Sequence, residues 1–136
     1  IADFFFTSCP SICPKMAQNK KHFQAAFADV SRVKILSHSI DPKRDSVNRL
    51  MEYAKLHEAI PGKWFLVTGD KQAIFKTARD YYSTASSDPG LKDAHIHDGK
   101  FILVDRNRFI RGFYDGTSKT DTYRLIRDVK LLLGES

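Results

Sequence analysis

The sequence predicts an α/β fold: a three-layer sandwich around a mixed, largely parallel central sheet, completed by a C-terminal β-hairpin and helix. Three observations carry this reading. Short apolar runs bounded by turn residues alternate with stretches whose apolar residues recur at helical spacing. The last two strand-like runs are separated only by Arg106-Asn107-Arg108 and so read as a hairpin. A length of 136 residues, 42% apolar and 28% charged, suits one core; no repeat or linker divides it, so residues 1–136 read as a single domain.

Asp3-Phe4-Phe5-Phe6-Thr7 is too short for a helix and is followed by Pro10 and Pro14, which predicts a buried strand. A helix is expected from Pro14, whose missing N–H costs nothing in a first turn, with Met16, Phe23, Ala26, Phe27 and Val30 at helical spacing. Arg32 to Ile40 alternates as a second strand and stops at Asp41-Pro42. Asp45 or Ser46 is expected to cap the next helix, whose inner face would hold Val47, Leu50, Met51 and Ala54. Pro61-Gly62 breaks the chain, Trp64-Phe65-Leu66-Val67 forms a third strand, and Asp70 caps a helix carrying Ile74, Phe75, Ala78 and Tyr82. From Ser83 to Ala94 the composition is that of a loop. Lys100 to Asp105 and Phe109 to Tyr114 make the hairpin, and Leu125, Ile126, Val129, Leu132 and Leu133 line a final helix. Strands alternating with helices imply right-handed crossovers and parallel pairing. The resulting order, β-α-β-α-β-α-β-β-α, matches a thioredoxin-like sandwich. In such a sheet the functional loops gather outside the carboxyl ends of the strands, which is where Cys9 and Cys13 fall.

Composition narrows the function classes. The longest purely apolar strings are four residues, as at 64–67 and 101–104, with residues 4–6 and 131–133 shorter still, far short of the ~20 residues a membrane span needs. Lys and Arg number 22 against 16 Asp and Glu, giving +6, but no run of five basic residues concentrates the excess. It reads mainly as solvated surface, and secondly as a field steering the domain to an acidic docking surface, an effect that weakens with salt. No aromatic residues interleave with a basic stripe, so nucleic-acid binding draws no support. The chain starts Ile1-Ala2-Asp3 and enters a strand at once, which predicts that an upstream segment has been cut away.

Two cysteines are too few for a disulfide framework, yet both fall within Cys9-Pro10-Ser11-Ile12-Cys13, with Pro14 next. Cys13 is expected immediately before a helix N-terminus, where the macrodipole and unpaired N–H groups favour a thiolate. A pair of small buried core residues is the bland alternative, and two prolines in a strand-to-helix turn argue against it. Three chemistries fit such a pair. It can close a disulfide, because a turn can bring two Cα atoms within the ~4.4–6.8 Å that a disulfide accepts. With one imidazole it can hold Cu(I). Structural zinc fits least, since it needs four protein ligands.

The spacing separates disulfide from copper only in part. Thioredoxin-type oxidoreductases use C-x-x-C, one residue shorter, and carry a proline just ahead of the strand that faces the cysteines. Here no proline follows Pro89, and His95-Ile96-His97 stands ahead of that strand instead. An imidazole at this place points toward a metal. Of the other histidines, His22 and His57 are expected on solvated helix surfaces, and His38, between Ser37 and Ser39, in a satisfied or half-buried position. His95 and His97 share strand parity, so periodicity cannot choose between them.

The run Phe4-Phe5-Phe6-Thr7-Ser8-Cys9-Pro10-Ser11-Ile12-Cys13-Pro14 resembles the F-x-F-T-x-C-P-x-x-C-P signature of the Sco/SenC family of copper-binding assembly factors for cytochrome c oxidase. Ser39-Ile40-Asp41-Pro42-Lys43-Arg44-Asp45-Ser46 is similar to the family's S-[IV]-D-P-x-R-D-T segment. His97 stands eight residues before Asp105 of Leu103-Val104-Asp105, the interval at which the family places its copper-ligating histidine. The resemblance thus selects His97 over His95. It implies a thioredoxin fold that binds copper through Cys9, Cys13 and His97, as Cu(I) and with Cu(II) as a second state. It also implies an extracytoplasmic domain, on the periplasmic side of a bacterial membrane or in the mitochondrial intermembrane space, held by an N-terminal anchor. The abrupt start then marks where that anchor and an early strand or hairpin were removed. Some members carry an acidic residue just before the ligand histidine; this chain has Ile96, with Asp98 after His97.

A copper chaperone serving the binuclear copper centre is the function so implied, with the copper-bearing oxidase subunit as partner and other copper chaperones or thiol–disulfide oxidoreductases as further contacts. Exchange of ligands would be its reaction, and because the cysteines must be reduced to bind, their redox state would gate loading. Asp41, Arg44 and Asp45 are expected to order the neighbouring loop. The second reading is a thiol–disulfide oxidoreductase that reduces the oxidase subunit's cysteines with Cys9 and Cys13 as its redox-active pair. A peroxidase ranks last, since Thr7-Ser8-Cys9 matches the peroxiredoxin arrangement only in part.

Overall fold

The computed structural model describes residues 1–7, 12–81, 85–86, 95–96 and 99–134. Its elements are β1 (Ala2–Phe5), α1 (Ile12–Ala26), β2 (Ile35–Ser39), α2 (Val47–Leu56), β3 (Trp64–Val67) and α3 (Lys71–Asp80). Then follow β4 (Ala85–Ser86), β5 (His95–Ile96), β6 (Lys100–Val104), β7 (Ile110–Asp115) and α4 (Lys119–Gly134). The main sheet has the order β3-β2-β1-β6-β7. β1 pairs in parallel with β2, and β2 with β3, while β6 runs antiparallel to both β1 and β7. Only β6 therefore opposes the common direction, which is the mixed, largely parallel sheet predicted.

Alternation along β1 sorts the helices into layers. Asp3 and Phe5 face the side of α1 and α2, where Lys20 and Tyr53 meet them. Phe4 points the other way and meets Tyr81 at the end of α3. α4 packs beside α1. One apolar cluster joins Met16, Phe23 and Phe27 to Ile35, Trp64, Phe101, Leu125 and Val129. A second gathers Phe4, Phe5, Phe6, Cys13, Ile40, Leu50, Ile74, Ala78 and Ile102. Each large side chain so buried contributes roughly 1.5–3 kcal/mol.

Several boundaries differ from expectation, each for a physical reason. α1 begins at Ile12, not Pro14. The first four N–H groups of a helix have no intrahelical acceptor, so a proline is as cheap in the third position as in the first. Cys13 consequently lies inside the first turn instead of before it. The buried residues of α1 are Cys13, Met16, Ala17, Asn19, Lys20, Phe23 and Gln24, with Phe27 buried just past its end, whereas Ala26 is exposed. β2 starts three residues later than expected because the backbone turns through Phe27, Val30 and Val33, each donating its N–H three residues back. α2 is rotated: Leu50 is buried and Tyr53, Ala54 and His57 are half-buried, while Val47 and Met51 face solvent. Its cap is Ser46, whose side chain accepts from the Arg49 N–H. The stretch expected as a loop after Ser83 contains a short ribbon, Ala85–Ser86 paired with His95–Ile96; its remaining residues, and Tyr82, lie outside the described ones.

Candidate metal centre

The carboxyl end of β1 leads into the cysteine segment, and two side-chain networks hold the described residues on either side of it. Asp45 is fully buried and takes three hydrogen bonds on its carboxylate. The Thr7 N–H donates to Oδ2 at 3.1 Å, the Ser39 hydroxyl to Oδ2 at 2.8 Å, and the Thr7 hydroxyl to Oδ1. Arg49, in the first turn of α2, donates from Nε to the Thr7 hydroxyl at 2.7 Å and stands 3.8 Å from Asp45 Oδ1. β1, β2 and α2 are thereby tied together two residues before Cys9. Asp41 closes the adjoining turn by accepting the Arg44 and Asp45 N–H groups on its carbonyl.

On the other side, Asn19 of α1 donates to the Gly116 carbonyl at 2.7 Å, and the Gly116 N–H donates to the Gly99 carbonyl at 2.8 Å. Gly99 adopts φ 55° and opens β6, two residues after His97. Because β6 runs antiparallel to β1 with Ile102 opposite Ala2, its beginning lies at the end of the sheet where β1 finishes. Thr7, the first turn of α1 and Gly99 therefore gather at one end.

Of the three predicted ligands, Cys13 is 2% exposed in the first turn of α1, packed in the second apolar cluster. No acidic residue shares that turn, so the helix N-terminus is left positive toward it. Cys9 and His97 lie outside the described residues; β5 ends at Ile96, directly before His97. Among the described residues no three His, Cys, Asp or Glu side chains are grouped to hold a metal. The predicted donor set of two thiolates and an imidazole would need Cys9 and His97 to join Cys13. It suits a soft, low-coordinate ion.

The other histidines fall as follows. His22 is exposed and meets Tyr123 edge-on at 5.3 Å. His38 is half-buried, stacked on Phe4 at 4.7 Å with Nδ1 3.1 Å from the Asp3 carbonyl. His57 departs from expectation: it caps the C-terminus of α2 and leans on Tyr53 at 4.3 Å, half-buried. Sequence reasoning missed Thr7, Ser39, Arg49, Asn19 and Gly116 as supports; Thr7 and Ser39 stand within the two recognised motifs, and that proximity was the available signal.

The SCO1/SenC family profile matches residues 1–134. The chain belongs to the SCO1/SenC family. It is 31% identical over 132 residues to the SCO1 protein homolog of Bacillus subtilis, a match covering 96% of this chain and 68% of that protein. It spans 62% of a SCO2-like protein of Rickettsia prowazekii. A SCO1/SenC lipoprotein of Bacillus anthracis superposes with a TM-score of 0.84 at 29% identity, over 97% of this chain and 79% of the other. ScoI of Arabidopsis thaliana, solved with copper bound, gives 0.75 at 27% identity over 99% and 83%. BsSco, described through a disulfide switch as a member of the Sco family of cytochrome c oxidase assembly proteins, gives 0.79 at 30% identity over 95% and 76%. These SCO1/SenC neighbours share the thioredoxin-like sandwich described above.

Proposed function

We propose that this SCO1/SenC chain is a copper chaperone that takes Cu(I) on Cys9, Cys13 and His97 and passes it to the copper-bearing subunit of cytochrome c oxidase. The observation that carries the reading is the position of Cys13, in a helix first turn free of acidic residues and beside two anchored segments that lead to Cys9 and to His97. The copper-bound plant relative supports it. Copper is the cargo here. Two thiolates and an imidazole leave it under-coordinated, so incoming thiolates of a partner can add before the chaperone's own leave. The protein's part is to hold the donors close and deprotonated. We place the domain on the extracytoplasmic side of a membrane, tethered by an N-terminal anchor.

Titration of the reduced protein with Cu(I) against a chromophoric Cu(I) chelator tests the reading. Wild type should bind one equivalent, Cys13→Ser should lose it, and His97→Ala should bind at least about tenfold more weakly. Unchanged affinity in the His97 variant removes that residue from the site.

A second reading is favoured by the disulfide switch of BsSco. One thiolate of the Cys9/Cys13 pair attacks a partner disulfide and releases one partner thiolate; the second cysteine then displaces the other, leaving the partner a dithiol and the pair oxidised. A slow exchange rate with a small disulfide, alongside tight copper binding, would exclude this as the main role.

A further inference from the structure

We propose that Asp45 is a positioning residue for the ligand loop: through Thr7 it fixes where β1 ends and hence where Cys9 is presented to Cys13. The inference rests on the copper reading above. A carboxylate with no solvent exposure is costly unless its lone pairs are filled. Here three donors fill them, and two of the three come from a single residue, Thr7. Gripping both the amide and the hydroxyl of one residue fixes its backbone and its χ1 together, which a single hydrogen bond cannot do. The other strut of the grip is Arg49, whose Nε donates to the same hydroxyl from the first turn of α2. Thr7 is thereby held from two directions.

The network does more than hold the fold together. β1 and β2 are already in register through Phe5 and Ser39, and the Ile40 N–H extends the pairing to the Phe5 carbonyl. Sheet pairing therefore ends at Phe5; past it the chain is held by Phe6, packed in the second apolar cluster, and then by the grip of Asp45 and Arg49 on Thr7. Cys13, by contrast, is fixed by the helix and the core. Cys9 follows Thr7 by two residues in the chain, so the direction in which the backbone leaves Thr7 bears on where its thiol can reach. Groups that orient metal ligands from outside typically change affinity 10–100-fold when removed.

The test compares Asp45→Ala, Thr7→Val and Thr7→Ser in the reduced full chain, with Tyr114→Phe as a destabilised control remote from the loop. Two quantities are read: Cu(I) affinity by chelator competition, and the rate at which oxidised glutathione closes the Cys9–Cys13 disulfide. Asp45→Ala should weaken Cu(I) binding about 10–100-fold and slow closure about fivefold or more. Thr7→Val, which keeps the amide link and the side-chain shape, should show a smaller loss in the same direction. Thr7→Ser should restore wild-type values, and Tyr114→Phe should leave both within about twofold despite lower stability. Should Asp45→Ala fail to fold, the Thr7 pair decides. Folded Asp45→Ala or Thr7→Val protein that binds copper and closes its disulfide like wild type overturns the proposal. If wild type binds no Cu(I), the copper reading falls instead, and the closure rates still decide whether Asp45 directs the loop.

Discussion

Lys20 Nζ lies 2.6 Å from Asp3 Oδ2, with the two side chains 1% and 0% exposed. The pair sits between the sheet and α1 inside a closed set of contacts. Ser37 donates to Asp3 Oδ1 at 2.6 Å and accepts from Lys20 at 3.2 Å and from Trp64 Nε1 at 3.0 Å. The ammonium also stands 5.0 Å from the Phe5 ring centroid and 5.1 Å from that of Trp64. Such a pair gains little over a well-packed apolar one, but removing a single partner strands a buried charge. Lys20→Met should therefore cost about 3–5 kcal/mol in urea unfolding, and Lys20→Met with Asp3→Leu should recover much of that. A single variant within about 1 kcal/mol of wild type would contradict this account.

Gly116 offers a second test, because α1 reaches the start of β6 through it. A Cβ there would sit 2.7 Å from the Gly99 carbonyl oxygen and 2.9 Å from the Phe101 ring. Backbone cannot step aside as a flexible side chain can, so Gly116→Ala should destabilise by about 1–3 kcal/mol. It should also push Gly99 away and weaken Cu(I) binding, given the place of His97 just upstream. Equal copper affinity in the folded variant would separate Gly99 from the site.

Tyr114 donates to Asp128 Oδ2 at 2.7 Å, with the Arg124 guanidinium 4.1 Å over its ring. Burial, then the neighbouring carboxylate, pushes its hydroxyl from the ordinary value of 10.0 up to about 12. A raised folded value means the contribution is complete below the unfolded pKa and is lost as pH rises through the folded one. Stability should fall between about pH 10 and 12 in wild type, and Tyr114→Phe should remove that part of the fall. At neutral pH the same substitution should cost about 1–2 kcal/mol, the partner carboxylate being partly exposed.

His57 gives the opposite dependence. Burial first, then the charges of Lys20 and Lys21, hold its pKa below the ordinary 6.5. The unfolded chain thus takes up the proton sooner, and stability should drop as pH falls below about 6.5. In His57→Gln the urea midpoint should change less between pH 7.5 and 5.5; an identical acid slope would locate the effect in another group.

Much of this was legible in advance because it depends on local rules. Periodicity located the five strands of the main sheet and four helices, and Asp70 stands at its predicted cap. The rotation of α2 was not legible: Val47 and Met51 are as apolar as Leu50, and only contact with the sheet chooses among them. Lys20 was missed because a charged residue ordinarily marks solvent, although it lies seven residues from Cys13 and three from Phe23, on the buried stripe. Asp3, within an otherwise apolar strand, was the matching hint.

By itself the sequence determined the family, through the cysteine and aspartate motifs, and the order of elements, because spacing and turn residues act over a few neighbours. Only the tertiary structure decided which carboxylate caps and which one grips. Ser46 and Asp45 are adjacent and chemically suited to the same cap; folding turns Asp45 inward to Thr7 and Ser39, residues 38 and 6 positions away. Only the pairing of β1 with β2 brings a donor 38 positions away onto the same buried carboxylate as the nearby Ser39, and burial is what requires them all.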